Sequence, residues 1–235
     1  MDSVLVLQSK LKKFAPDIAV DGLVGMQTRA ALAELSIADR VWLDFELEQE
    51  TGMASKAIIG ERGFKTPDYQ YLKKSECDSL IGRACRALGV EQYAAVYCDF
   101  MYREAGKRRA GGEIYYDVLS RSGNSRGSAR GLTQFQPAAW IDARAKALSM
   151  NSKYDIGEYE EGVYFPANNI VACIAYSQLA IKLMVETYNI PVNGETMYLA
   201  HNQGPHFWKT MVPTNQSGQS AEARALIKKY RRLYG

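Results

Sequence analysis

Residues 93–106 read YAAVYCDFMYREAG. Apolar side chains recur at Tyr93, Val96, Tyr97, Phe100 and Met101, the three-and-four spacing that gathers them on one face of an α-helix. The next position on that face is Glu104, so a carboxylate stands where the pattern asks for a greasy side chain. A buried carboxylate costs free energy unless it is paired or protonated. Desolvation raises its pKa, which favours an acid still protonated near neutral pH. A second reading stands beside this one: Glu104 lies exposed in a frayed last turn, or is paired with Arg103 or Arg108.

Working outward, helical periodicity dominates the rest of the chain. It marks Leu80, Ala84 and Leu88, then residues 140–148, then 170–188, then Ala223, Ile227 and Tyr230. Ser220 can cap the last helix, with Glu222 in its first turn and Lys228, Lys229, Arg231 and Arg232 near its end, in keeping with the helix dipole. The greasiest run, residues 170–185, is interrupted by Ser177, Gln178 and Lys182. It falls short of the ~20 apolar residues that span a bilayer, and so predicts a core helix rather than membrane insertion.

Toward the N-terminus, Gly52, Gly60, Gly63 and Pro67 break any periodicity and predict connecting structure. Before them, Val4, Leu7, Leu11 and Phe14 form a helical stripe stopped by Pro16. A glycine turn follows at residues 20–25, then a second stripe at Thr28, Ala31, Leu32 and Leu35. So small a unit buries little surface, and a third helix over Asp39 to Gln49 would complete it. The expected organisation is a three-helix module at 1–50, a linker at 51–70, and a mainly α domain at 71–235.

Composition sets bounds. The 235 residues are 47% hydrophobic and 23% charged with net charge +3, which describes a folding globular chain and specifies no partner. Cys77, Cys85, Cys98 and Cys173 lack paired CxxC spacing and only two histidines are present, so neither a metal nor another cofactor is expected. The thiols read as reduced. Asp2 and the lack of a basic region leading into a long apolar stretch predict no signal peptide. The basic runs Lys107-Arg108-Arg109 and Lys228-Lys229 read as solvated faces, not as a nucleic-acid surface.

Two further constellations carry chemistry. Residues 127–137 read GSARGLTQFQP. Alternation at Leu132, Gln134 and Gln136 fits a short strand or extended rim, whose amides can hydrogen-bond sugar hydroxyl and acetamido groups, and the segment reads equally as a glycine-rich loop before a helix that starts near Pro137. Residues 198–205 read YLAHNQGP, a helix ending in a turn that bears an imidazole and an amide. His201 could serve as a base, although a helix-end histidine is more often structural.

Together, Tyr102-Arg103-Glu104-Ala105-Gly106, Gly131-Leu132-Thr133-Gln134 with Pro137, and Ala200-His201-Asn202-Gln203-Gly204 resemble the three ordered motifs of soluble lytic transglycosylases and goose-type lysozymes. Those motifs read roughly Glu-Ser-Gly, Gly-Leu-Met-Gln and Ala-Tyr-Asn-x-Gly. This chain departs from them at Ala105, Thr133 and His201, and its gap from Glu104 to Gly131 is longer than usual. Leu7-Gln8-Ser9-Lys10-Leu11 with Val20-Asp21-Gly22, Gly25, Thr28, Ala31 and Leu32 resembles the three-helix peptidoglycan-binding domain. The pair, with no signal peptide, resembles the modular endolysins of phages that infect Gram-negative bacteria.

The resemblance implies a lysozyme-like, mainly α catalytic domain with a small β-element behind a wall-binding module. It implies a monomer whose partner is bacterial peptidoglycan, made in the host cytoplasm and acting on the wall in the periplasm. Glu104 would be the catalytic acid and base, with Gln134, Asn202, Tyr198, Thr133 and His201 holding saccharide. A lytic transglycosylase needs one carboxylate. A hydrolytic muramidase normally adds a second, for which Asp117 is the candidate, and Glu113 rivals Glu104 for the first role. A wall-binding protein without catalysis is the reading from a different class.

Overall fold

The computed structural model describes residues 2–60, 70–121, 129–186, 190–204 and 221–234. The molecule is mainly helical, 65% helix with one small three-stranded sheet.

Three helices open the chain: α1 (Ser3–Leu11), α2 (Met26–Glu34) and α3 (Ile37–Thr51), followed by a one-turn α4 (Ser55–Ile58). Asp2 and Ser36 cap α1 and α3 by accepting from Val4 N and Asp39 N. Leu7, Leu11, Ile18, Leu32, Leu43, Leu47, Ile58 and Ile59 form a core between them. Gln8, 1% exposed, explains the glycine turn. Its Oε1 accepts from the N–H groups of Asp21 and Gly22 at 3.1 and 2.9 Å, and its Nε2 donates to Asp21 Oδ1 and the Leu23 carbonyl at 2.9 and 3.0 Å. One buried amide thus satisfies a turn that helices cannot. The first helix stops at Leu11, a turn short of the stripe's extent, and leaves Phe14 38% exposed.

The α3 helix has two buried faces. Leu43 and Leu47 belong to the small core, whereas Ala38, Val41, Trp42 and Phe45 belong to the larger one. Gln49 adds a reciprocal pair of bonds to the Asp155 backbone at 2.9 and 2.8 Å, and Arg83 pairs with Asp39. The segment expected as a separate module is thus tied to the rest through its third helix.

The larger body contains α5 (Lys74–Ala87), α6 (Ala94–Ala105), α7 (Pro137–Met150), α8 (Tyr159–Gly162), α9 (Pro166–Glu186), α10 (Gly194–Gln203) and α11 (Ala221–Tyr234). Its sheet has the order β1-β3-β2, with β1 (Tyr71–Lys73) and β2 (Gly106–Arg108) antiparallel to β3 (Ile114–Asp117). The hairpin of β2 and β3 fills much of the long gap after Glu104. Helix α9 is long and apolar enough by length and composition to cross a membrane, yet two thirds of its apolar window is buried. It packs on α3, α5, α7 and α10, and each buried Ile or Val in it contributes roughly 1.5–3 kcal/mol. Helix α11 buries Leu226, Ile227 and Tyr230, while Lys229 pairs with Glu195 at 2.6 Å. The cap expected at Ser220 lies outside the described residues.

Candidate active site

Glu104 occupies the last turn of α6, where the chain passes into β2 with no intervening loop. Gly106 makes that exit possible, because a Cβ there would meet the Tyr102 ring at 2.5 Å and the Tyr102 carbonyl at 2.6 Å. Glu104 is half-buried and makes no hydrogen bond or ion pair with any described residue. Arg103 pairs instead with Asp99 at 3.0 Å, and Arg108 lies 3.4 Å from the Tyr102 hydroxyl. Burial raises the Glu104 pKa, and the nearby His201 imidazole partly offsets the rise. Cys173 on α9 also feels the Glu104 charge, although burial is the main reason its thiol pKa is raised.

The carboxyl group opens on a cleft of about 440 Å³, walled by Gln134, Phe135, Gln136, Tyr176, His201 and Asn202. The segment expected as a strand or extended rim is a tight turn. Arg130 and Phe135 exchange backbone hydrogen bonds at 2.9 and 3.0 Å, closing a loop over residues 131–134. Gly131 has φ +76°, and a Cβ there would lie 2.2 Å from the Val163 carbonyl and 2.4 Å from Asn169 Nδ2. Gln134 adopts φ +53°, a left-handed conformation uncommon outside glycine. Its side-chain amide secures the turn by donating to the Gly131 carbonyl at 2.8 Å.

Buried groups hold the turn from beneath. The Oδ1 of Asn169, on α9, accepts from the Thr133 N–H at 3.0 Å and from its hydroxyl at 2.7 Å, while Asn169 Nδ2 donates to the Val163 carbonyl at 2.9 Å. From α10, His201 Nε2–H donates to the Thr133 carbonyl at 2.8 Å. That bond leaves Nδ1 buried without a partner. Phe100, Phe135 and Tyr176 surround the imidazole, with centroids 5.2, 5.4 and 6.3 Å away.

The fold therefore brings Glu104, Gln134, His201 and Asn202 to one cleft. Thr133 and Tyr198, expected to touch saccharide, are not among the described residues lining it. Thr133 is fully buried with its N–H, hydroxyl and carbonyl all occupied, and Tyr198 is buried in the main core. Glu113 sits half-exposed 3.7 Å from Lys73. Asp117 accepts from the Leu119 N–H at 3.1 Å, and neither acid is among the described lining residues. Sequence reasoning missed Asn169, whose only local signal was a polar pair, Asn168-Asn169, at the start of the greasiest helix. It also missed Tyr176, which stands on the cleft wall. Comparison of the sequence with models of known families gives no match, and comparison with curated proteins gives none either.

Proposed function

We propose that this protein cleaves the β-1,4 bond between N-acetylmuramic acid and N-acetylglucosamine in peptidoglycan, as a lytic transglycosylase of modular endolysin type with a lysozyme-like domain. The observation that carries the reading is Glu104: an unpaired carboxyl group with a raised pKa, opening on a cleft rimmed by amide side chains. A group so placed holds its proton closer to neutrality than an ordinary carboxylic acid does, as protonation of a glycosidic oxygen requires. The side-chain amide of Asn202 suits sugar hydroxyl and acetamido groups. Gln134 retains its carbonyl oxygen and one N–H for the same purpose.

In the proposed reaction Glu104 donates its proton to the bridging oxygen as the bond to the muramyl anomeric carbon breaks. The resulting carboxylate accepts the proton of the muramyl 6-hydroxyl, whose oxygen attacks that carbon and closes a 1,6-anhydro ring. The departing chain keeps the first proton, and Glu104 ends protonated as it began. Glu104 is the one carboxylate among the described lining residues, which favours this one-acid route over hydrolysis with a second acid. The N-terminal helices would tether the enzyme to the polymer, and the chain would act on the wall after release from the host cytoplasm.

The test is clearing of purified peptidoglycan sacculi. The wild type should clear them, and Glu104→Gln, folded by circular dichroism, should lose about a thousandfold in rate. Undiminished clearing by the variant would overturn the assignment of Glu104.

A further inference from the structure

A second and larger cavity, of about 860 Å³, opens where the end of α3 meets the segment between α7 and α9. It shares no lining residue with the Glu104 cleft. Its walls carry Glu48 and Gln49 from α3, Arg121 beyond β3, Asp155, and Glu160 and Glu161 from α8, with Tyr164 and Asn168 contributed by the start of α9 and the turn before it. Two of the acids are already answered. Asp155 pairs with Arg144 at 2.6 Å, and Glu160 pairs with Arg130.

The remaining charges have no counter-ion among the described residues. Among the described residues, half-buried Glu48 and exposed Glu161 have no cationic partner, and exposed Arg121 has no acidic one, its guanidinium lying 5.5 Å from the centre of the Tyr164 ring. Two buried polar atoms are also without a hydrogen-bond partner, Tyr164 Oη and Asn168 Oδ1. Asn168 is only 7% exposed, and its Nδ2 is already engaged with the Ile156 carbonyl at 3.1 Å. Tyr164 Oη and Asn168 Oδ1 lie behind the cavity wall without opening onto it, so the groups that the cavity offers a ligand are the charges of Glu48, Glu161 and Arg121. Its volume suits a small ligand.

We propose that this cavity is a second binding site, for a zwitterionic peptide end that offers an ammonium to Glu48 and Glu161 and a carboxylate to Arg121. A neutral sugar answers neither charge. Burial, with the Asp44 carboxylate one turn earlier on the same helix, pushes Glu48 up to about 7, as for an acid that lacks a cation. The other charged groups of the cavity are Asp155, Glu160, Glu161 and Arg121. Resting on the wall-polymer reading above, the ligand is the stem peptide of peptidoglycan, whose diamino acid ends in an ammonium beside a carboxylate. The site would engage the peptide of a strand while the Glu104 cleft engages the glycan.

The experiment is calorimetric titration of the full chain with the free tripeptide L-alanyl-γ-D-glutamyl-meso-diaminopimelate, and with the same peptide acetylated at its free side-chain-end amine. The wild type should bind the first, and acetylation should abolish binding. Glu48→Gln and Arg121→Ala should each weaken it about tenfold, both still clearing peptide-free glycan at the wild-type rate. Absence of tripeptide binding, equal binding of the acetylated form, or undiminished affinity in both variants would overturn the proposal. Peptide binding without cleavage of naked glycan would instead remove the catalytic reading and leave this site standing.

Discussion

Glu104 and Glu48 pose the same physical problem in two regions. Each is a half-buried glutamate near the C-terminal end of a helix, and desolvation raises the pKa of both. Their neighbours differ in sign. Glu104 faces His201, which works against the rise, whereas Glu48 stands one turn from Asp44, which adds to it. Their surroundings differ as well: amides and aromatic rings around Glu104, unanswered charges around Glu48. A raised carboxyl pKa therefore does not identify a catalytic acid by itself, and what converges on the group decides its role.

That contrast can be broken most readily by exchange of roles. Glu104→Gln should cost about two to four orders of magnitude in cleavage of peptide-free glycan, and Glu48→Gln should leave that rate unchanged, both read by reducing-sugar-independent chromatography of the products. A large loss from Glu48→Gln would erase the distinction.

Asn169 gives the next largest effect. Asn169→Ala removes the acceptor of two Thr133 bonds and the donor to Val163 in a fully buried place, so stability should fall by about 2–4 kcal/mol in urea unfolding. A loss under about 0.5 kcal/mol would mean that the turn at 131–134 holds itself.

Glu48 should also reveal itself in stability. Its folded pKa, raised to about 7 from an ordinary 4.5, means that the native state binds this proton more tightly than the unfolded chain does. The contribution is fully present below about pH 4.5 and is lost as pH rises through 7. Glu48→Gln should therefore stabilise the protein by about 2 kcal/mol near pH 8 after allowance for solvent screening, and by little near pH 4. Equal unfolding midpoints for the two proteins at both pH values would contradict this.

The smallest effect belongs to His201. The cleavage rate should fall as pH rises through the raised pKa of Glu104, since the acid must carry its proton. His201 lowers that pKa, so His201→Phe should move the basic limb of the pH profile upward. A limb that moves downward would assign the imidazole a different part.

Much of this arrangement was legible in the sequence wherever one local pattern determined it. The stripe over residues 93–101 gave α6 and put Glu104 on its apolar side, and the glycine turn after Gln8 and Leu11 gave the entry to α2. The sequence of the turn at 131–134 fits a short strand or extended rim as well as it fits a loop, because alternating residues in a short segment look the same in both. What separates them is Gln134 at φ +53° and support from Asn169 and His201, 36 and 68 residues away from Thr133. Long-range contacts of that kind leave no periodicity. The same holds for α3, whose two apolar faces could be counted from the sequence but not assigned to two cores, and for Thr133 and Tyr198, which the fold buries.

We propose that a single acid opens the glycan by intramolecular ring closure. This is tested most directly by mass spectrometry of the muropeptides released from purified peptidoglycan by the wild type and by Glu104→Gln. The wild type should release 1,6-anhydromuramyl ends and the variant none. Reducing muramyl ends from the wild type, or anhydro ends persisting in Glu104→Gln, would contradict it.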